Sequence, residues 1–169
     1  RQMCIRDSYT DVSGSSYAIP CPAGTYQPDS QAVECIETDI GFFSPGTGNS
    51  SQTECGAGSY APMMGMGQCT LAEAGHYVHD TGSSNQAVCT AGTYQPSAGQ
   101  SACIENDPGH YTVGEGSKEQ IACESGTYQD SPSATSCIEA DYGYYVPESA
   151  SSEQMACLAG TYQPSTGQS

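Results

Sequence analysis

The sequence predicts an all-β, disulfide-rich fold: an elongated tandem-repeat rod of short, hairpin-like 17-residue units. Three observations predict it: a glycine every 17 residues, an aromatic ring two places after each of these glycines, and cysteines whose gaps alternate between 14 and 20 residues. Such a period is typical of repeat proteins, whose units are too small to fold alone and gain stability by stacking on neighbours. The repeat glycines are Gly24, Gly41, Gly58, Gly75, Gly92, Gly109, Gly126, Gly143 and Gly160, and the rings are Tyr26, Phe43, Tyr60, Tyr77, Tyr94, Tyr111, Tyr128, Tyr145 and Tyr162.

The alternating cysteine gaps define a full repeat of 34 residues, made of two related halves. In one half a cysteine stands three places before the repeat glycine and another stands eleven places after it; in the other half both places lack cysteine. Their joint absence indicates that the two positions are partners. We therefore expect disulfides between Cys21 and Cys35, Cys55 and Cys69, Cys89 and Cys103, and Cys123 and Cys137, with the partner of Cys157 falling after Ser169. Sequence alone does not fix connectivity, so pairing across the 20-residue gaps stays open.

The cysteine-free halves carry other residues at the two vacant places. The earlier place holds Thr38, Ala72, Asn106 and Ala140, and the later place holds Gln52, Gln86, Gln120 and Gln154.

The repeat divides the chain into segments. We expect a non-repeat leader or a sequence artefact at 1–8, a partial unit at 9–20, four repeats at 21–54, 55–88, 89–122 and 123–156, and a partial repeat at 157–169. The leader carries Arg1 and Arg6, two of only three basic residues. We interpret the chain as a fragment of a longer array.

Charge and cysteine content limit the environment and the partners. The chain has 19 acidic side chains against three Lys and Arg, for a net charge of −16. Such a surface repels nucleic acid and anionic membranes, so we expect neither nucleic-acid binding nor membrane contact by this segment. Regular cysteine pairs indicate an oxidising setting, so we predict an extracellular or cell-surface protein.

One unit, residues 89–103, illustrates the local structure that we expect. Thr93-Tyr94-Gln95 suits a short strand, because β-branched and aromatic residues favour a pleated surface. Residues 96–99 form a turn that begins at proline and ends at glycine. The return segment carries a mostly aliphatic place, as at Ile104. We expect this place and the rings to form a thin continuous core.

The motif Cys-Pro-Ala-Gly-Thr-Tyr-Gln-Pro at 21–28, closed by Cys35, resembles the ephrin-receptor-like cysteine-rich repeat, which is related to the cysteine-rich modules of tumour necrosis factor receptors. Residues 89–103 match the motif more closely still. The resemblance implies short strands, a Cys–Cys link within each unit and an elongated rod of the kind found in large surface proteins. The cysteine-free halves depart from the family pattern, and we expect backbone pairing and packing alone to keep them rigid.

The sequence does not favour an enzyme. His76 and His110 occupy a place that holds Phe42 and Tyr144 in sister units, and a catalytic base is not interchangeable with a phenyl ring. The cysteine spacings also lack the close pairs that are typical of zinc sites.

Calcium is the one metal for which the sequence offers candidates. Acidic residues precede the repeat glycine in the cysteine-free halves, and carboxylates at i and i+2 of an extended chain point to the same face. The alternative is a solvated acidic surface. The candidates are Glu37, Asp39, Glu73, Glu105, Asp107, Glu139 and Asp141.

Covalent glycans are also expected. Asn49-Ser50-Ser51 is the one Asn-x-Ser/Thr acceptor in the sequence, and its place in a turn suits surface attachment.

Taken together, these patterns predict a glycosylated structural repeat protein that forms the shaft of an extracellular filament or fibril, with copies of itself as partners. The alternative is a spacer or ligand-binding ectodomain of a cell-surface receptor with ephrin-receptor-like repeats.

Overall fold

The computed structural model describes residues 6–10 and 17–169, and within this part of the chain all regular structure is β. Each strand is two residues long, as expected for units built from hairpins. The strands are β1 (Ser8–Tyr9), β2 (Ile19–Pro20), β3 (Thr25–Tyr26), β4 (Ile36–Glu37), β5 (Phe42–Phe43), β6 (Thr53–Glu54), β7 (Ser59–Tyr60), β8 (Thr70–Leu71), β9 (His76–Tyr77), β10 (Ala87–Val88), β11 (Thr93–Tyr94), β12 (Ile104–Glu105), β13 (His110–Tyr111), β14 (Ile121–Ala122), β15 (Thr127–Tyr128), β16 (Ile138–Glu139), β17 (Tyr144–Tyr145) and β18 (Met155–Ala156).

The chain divides into two compact bodies, which are described separately. The described residues of the first body are 6–10, 17–72, 78–87 and 99–101, and antiparallel hairpins join β1 to β2, β3 to β4, β5 to β6 and β7 to β8. The second body comprises 73–77, 88–98 and 102–169, and its hairpins join β11 to β12, β13 to β14, β15 to β16 and β17 to β18. The predicted all-β, disulfide-rich tandem repeat is therefore confirmed.

Within each body, backbone hydrogen bonds join consecutive 17-residue units in a repeating pattern. In the first body, the Gly41 N–H donates to the Ala61 carbonyl (3.0 Å), the Gly65 N–H donates to Thr38 (2.9 Å), and the Thr38 N–H donates to Gly24 (2.9 Å). Because these bonds use only main-chain groups, units of different sequence stack in the same way.

The second body repeats this pattern. There the Gly109 N–H donates to the Gln129 carbonyl (2.7 Å), the Cys123 N–H donates to Gly109 (2.9 Å), and the Ala150 N–H donates to Cys123 (2.8 Å). The 17-residue period of the sequence is therefore also the period of the backbone pairing in each body.

In the units before residue 157 the core lies at three places: the repeat glycine and the residues three before and three after it. The two outer places hold mostly small or polar side chains, and consecutive backbones approach to hydrogen-bonding distance there. The buried residues at these places are Cys21, Gln27, Thr38, Ser44, Cys55, Ala61, Ala72, Val78, Cys89, Gln95, Asn106, Thr112, Cys123, Gln129, Ala140 and Val146.

The expectation of a core of rings and aliphatic residues is wrong. The rings of Tyr26 and Tyr94 are only half-buried, and their cross-strand partners Ile36 and Ile104 are both 44 % exposed. The three core places occupy the contact between consecutive backbones, so the rings and aliphatic residues instead form cross-strand pairs within each hairpin, as Tyr26 does with Ile36.

The first unit begins slightly earlier than the sequence suggests. Asp7 stands at the glycine place, has a φ of 77°, and its N–H donates to the Gln27 carbonyl as a repeat glycine does (2.9 Å). Ser8 already belongs to β1. Repeat geometry therefore starts two residues before the predicted boundary at Tyr9, whereas residues 1–5 of the leader and Gly14 of the partial unit lie outside the described residues.

Candidate functional site

The chemically distinctive groups of this chain are those that close each 17-residue unit across its loop. Disulfides close one half of each repeat: Cys21 with Cys35, Cys55 with Cys69, Cys89 with Cys103, and Cys123 with Cys137, with Cα–Cα distances of 5.7 or 5.8 Å. These are the pairings that the spacing predicts. Cys157 is half-buried and has no disulfide partner among the described residues; its predicted partner lies past Ser169.

A buried glutamine occupies the loop of three disulfide-closed units. Gln95 is 4 % exposed, its Nε2 donates to the Ala102 carbonyl (2.8 Å), and its Oε1 accepts from the Ser97 N–H (3.2 Å). Gln27 and Gln129 make the equivalent pairs of bonds. Sequence reasoning missed this role, although a glutamine directly after the repeat tyrosine was the available signal.

Three of the four cysteine-free halves are closed by an aspartate and a glutamine, a pair that we call the amide latch. In residues 107–120 the Gln120 Nε2 donates to the Asp107 Oδ2, and the Gln120 Oε1 accepts from the Asp107 N–H, both at 2.8 Å. The same two bonds join Asp39 to Gln52 (2.7 and 2.6 Å) and Asp141 to Gln154 (2.7 Å each).

The amide latch corrects the expectation that backbone pairing and packing alone keep these halves rigid. The glutamine stands where the later cysteine stands in the sister half, and the aspartate follows the earlier vacant place by one residue. A polar side-chain link therefore replaces the missing disulfide. The sequence signal was glutamine at all four of these places, a regularity that solubility alone does not explain.

The earlier vacant place instead contributes to the core. Asn106 is 1 % exposed, and its Nδ2 donates to the Ala134 carbonyl (2.8 Å) and to the Thr112 Oγ1 (3.2 Å). The Thr112 Oγ1 also accepts from the Gly92 N–H (2.9 Å). These bonds tie neighbouring units together, although the Asn106 Oδ1 is buried without a hydrogen-bond partner.

The structure gives several calcium candidates other partners. Asp39, Asp107 and Asp141 belong to amide latches, and the Glu139 Oε2 accepts from the Thr166 hydroxyl (2.8 Å). The Glu37 carboxyl carbon lies 3.7 Å from the position that a Cβ on Gly65 would take, so Glu37 covers the turn of a later unit.

The remaining two candidates, Glu73 and Glu105, are exposed. In residues 6–10 and 17–169, no group of three or more His, Cys, Asp or Glu side chains is arranged to hold a metal ion. Calcium binding stays an untested prediction.

The predicted glycan acceptor lies in the loop between β5 and β6 of the first body. Asn49 is half-buried, its Nδ2 donates to the Pro45 carbonyl (2.7 Å), and its own carbonyl accepts from the Gln27 N–H (2.9 Å). The backbone of the acceptor is thus fixed by the repeat. Glycosylation itself stays a prediction.

The two histidines considered as catalytic bases each begin a short strand, His76 in β9 and His110 in β13. Both are half-buried, and the His110 Nδ1 lies 3.3 Å from the Pro108 carbonyl. This placement is the packing position that Phe42 and Tyr144 take in their own strands.

Loss of an amide latch is expected to destabilise the second body by about 1–2 kcal/mol, because two hydrogen bonds are lost, one of them to a carboxylate. The variant is Gln120→Ala, and chemical denaturation measures the change. Glu119→Ala, an exposed neighbour outside the latch, is the control and should change little. A cycle with Asp107→Ala tests the bond between the two side chains, and strict additivity of the two losses would show that this bond contributes nothing.

The hairpins and disulfides define a disulfide-rich, all-β tandem-repeat protein. Residues 75–123 match the family model described as tyrosine-protein kinase ephrin type A/B receptor-like. The ephrin-receptor-like resemblance is therefore confirmed for this segment, and it fits an extracellular domain. No curated protein matches the chain. Among the described residues there is no helix with the length and hydrophobicity needed to cross a bilayer.

Proposed function

We propose that this chain is part of the shaft of an extracellular filament or fibril. The observation that carries the proposal is the recurrence of the same main-chain hydrogen bonds from one unit to the next in each compact body. Units that join in one fixed way, whatever their side chains, build a linear array of any length. Such an array supplies length and stiffness and needs no catalytic group, so the proposed role is not enzymatic.

Self-association follows from the same geometry. A stack of like units presents different surfaces at its two ends, and contacts between unlike surfaces do not close into a ring but extend into filaments. The net charge of −16 keeps separate shafts apart in this proposal. Glycans at Asn49 decorate the surface, and calcium is the candidate for bridging neighbouring shafts.

A receptor ectodomain is the second candidate, and the match of residues 75–123 to the ephrin receptor-like model favours it. In that case the repeats space or present a ligand-binding head. The two candidate functions predict different flanking segments in the full-length protein. A shaft predicts more repeats, whereas a receptor predicts a membrane anchor and an intracellular domain.

Electron microscopy of the native material, with and without a chelator, tests the proposal. We expect long, thin fibres whose axial period is set by the 34-residue repeat, and we expect lateral bundling to decrease when calcium is removed. If the fibres look the same with and without the chelator, calcium does not bridge neighbouring shafts, whereas the proposal of a filament shaft stands. Single particles anchored in membranes, or compact globular monomers of the full-length array, would contradict the proposal that the chain is part of a filament shaft.

A further inference from the structure

We propose that the alternation of disulfides and amide latches makes this chain a two-stage tether whose maximum length depends on redox state. Under tension the cysteine-free halves extend completely, whereas the disulfide-closed halves withhold a fixed length until they are reduced. This proposal rests on the geometry of the two kinds of closure and does not depend on filament formation.

The first step is the path of force through a disulfide-closed unit. Cys89 and Cys103 are 14 residues apart in sequence but only 5.7 Å apart between Cα atoms. The covalent bond carries the tension directly from Cys89 to Cys103, so the loop between them stays slack. The other three disulfides have the same separation and bypass the same length of chain.

The second step is the absence of any such bypass elsewhere in the described chain. Each of its four disulfides closes within one unit, and within each body the units are joined by noncovalent contacts, such as the hydrogen bond from the Gly116 N–H to the Cys89 carbonyl (2.8 Å). The amide latch of Asp107 and Gln120 is also noncovalent and lies at the surface. Water replaces these hydrogen bonds as a unit opens. A loop that is closed only by an amide latch therefore extends to its full contour length under tension.

The third step is the length that each disulfide withholds. An extended chain spans about 3.3–3.6 Å per residue, so a 14-residue separation corresponds to roughly 46–50 Å. Subtracting the Cα–Cα distance of 5.7 Å leaves about 40–45 Å to be released when the bond breaks. A disulfide across a 20-residue gap, such as Cys35 to Cys55, would release about 60–66 Å instead.

The chemistry of release is thiol–disulfide exchange with a low-molecular-weight thiol. Two reductant thiols convert the disulfide into two protein thiols and leave as an oxidised disulfide of their own, so the electron pair comes from the reductant. In the folded unit Cys89 is 0 % exposed and Cys103 is half-buried. The first extension opens the structure around each bridge, so that both of its sulfurs become accessible to the reductant.

Optical-tweezers measurements on the full 169-residue chain, held by its two ends at constant force, test the proposal. The chain has two cysteines outside the four bridges, Cys4 and Cys157. Both are replaced by serine in the background, so that only the four bridged pairs can react. After the first extension, added dithiothreitol should produce four discrete gains in contour length of about 40–45 Å each. Gains of about 60–66 Å would show the other pairing, and extension to full length without reductant would overturn the proposal.

Two variants test whether each step in contour length comes from one particular disulfide. Cys89→Ala with Cys103→Ala should remove one of the four steps and lengthen the first extension by the same amount. Ala140→Cys with Gln154→Cys places a bridge at the two vacant places of a latched half and should add a fifth step. An unchanged step count in this second variant, despite chemical evidence of its bridge, would contradict the proposed force path.

Discussion

The substitution Gly92→Val is expected to lower the free energy of unfolding by more than about 3 kcal/mol, a large effect for one residue. Gly92 has a φ of +86°, a left-handed conformation that costs residues with a Cβ about 1–2 kcal/mol. Its added Cβ would also lie 2.2 Å from the Ser133 carbonyl oxygen, and Ser133 is fixed by its own bond to the Asn106 carbonyl. The backbones of two units would have to separate to make room.

Two other glycines provide matched controls for the two parts of this cost. Gly114 has a φ of +82° but no atom within 4 Å of an added Cβ, so Gly114→Ala should show the conformational cost alone. Gly56 has neither feature, so Gly56→Ala should be neutral or slightly stabilising. Denaturation midpoints should therefore rank Gly56→Ala, Gly114→Ala and Gly92→Ala in order of falling stability, with Gly92→Val no more stable than Gly92→Ala. Equal losses of stability at positions 92 and 114 would show that the close approach of the Gly92 and Ser133 backbones does not contribute to the cost.

The period of the sequence predicts the unit, its hairpin and its glycines because each depends on local backbone requirements. The close approach inferred at Gly92 recurs at Gly24 and Gly109, where an added Cβ would lie 2.0 and 2.1 Å from backbone oxygens. The disulfide pairing is predictable for a related reason: two places that gain and lose cysteine together reveal a contact without any knowledge of the fold.

The location of the core was not predictable from hydrophobicity. Aliphatic side chains usually indicate the buried face of a strand, yet Ile121 is 47 % exposed and Thr112 is 1 % exposed. Here backbone hydrogen bonds between units decide the packing, and most side chains at the contact are small or hydrogen-bonding, with Val78 and Val146 as aliphatic exceptions. Nothing in hydropathy signals that preference.

The amide latch was missed because its two residues carry no strong signal separately. Gln154 and Asp141 are ordinary surface residues until the fold brings them within 2.7 Å. The aspartates were instead grouped with neighbouring glutamates as calcium ligands, since alternate residues of a strand share a face. In the structure Glu139 turns to Thr166 while Asp141 turns to Gln154, so the two carboxylates serve different units.

Removing one disulfide is the second large effect that we expect. Cys89→Ala with Cys103→Ala should lower the free energy of unfolding by about 3 kcal/mol, the contribution expected for a closed loop of roughly 15 residues. Reduction of the native protein should act in the same direction at all four bridges. Peptide mapping without reduction should first show Cys89 joined to Cys103 in the parent protein.

Grafting the amide latch into this unit should recover part of the loss. Ala140, Asp141 and Gln154 provide the template, and Cys89, Thr90 and Cys103 occupy the equivalent places. The triple variant Cys89→Ala, Thr90→Asp, Cys103→Gln should therefore be more stable than the double alanine variant by about 1–2 kcal/mol, since it regains two hydrogen bonds. It should also be insensitive to reductant at this unit. If it is no more stable than the alanine pair, the latch is not a substitute for the disulfide, and the cysteine-free halves must draw their stability from stacking alone.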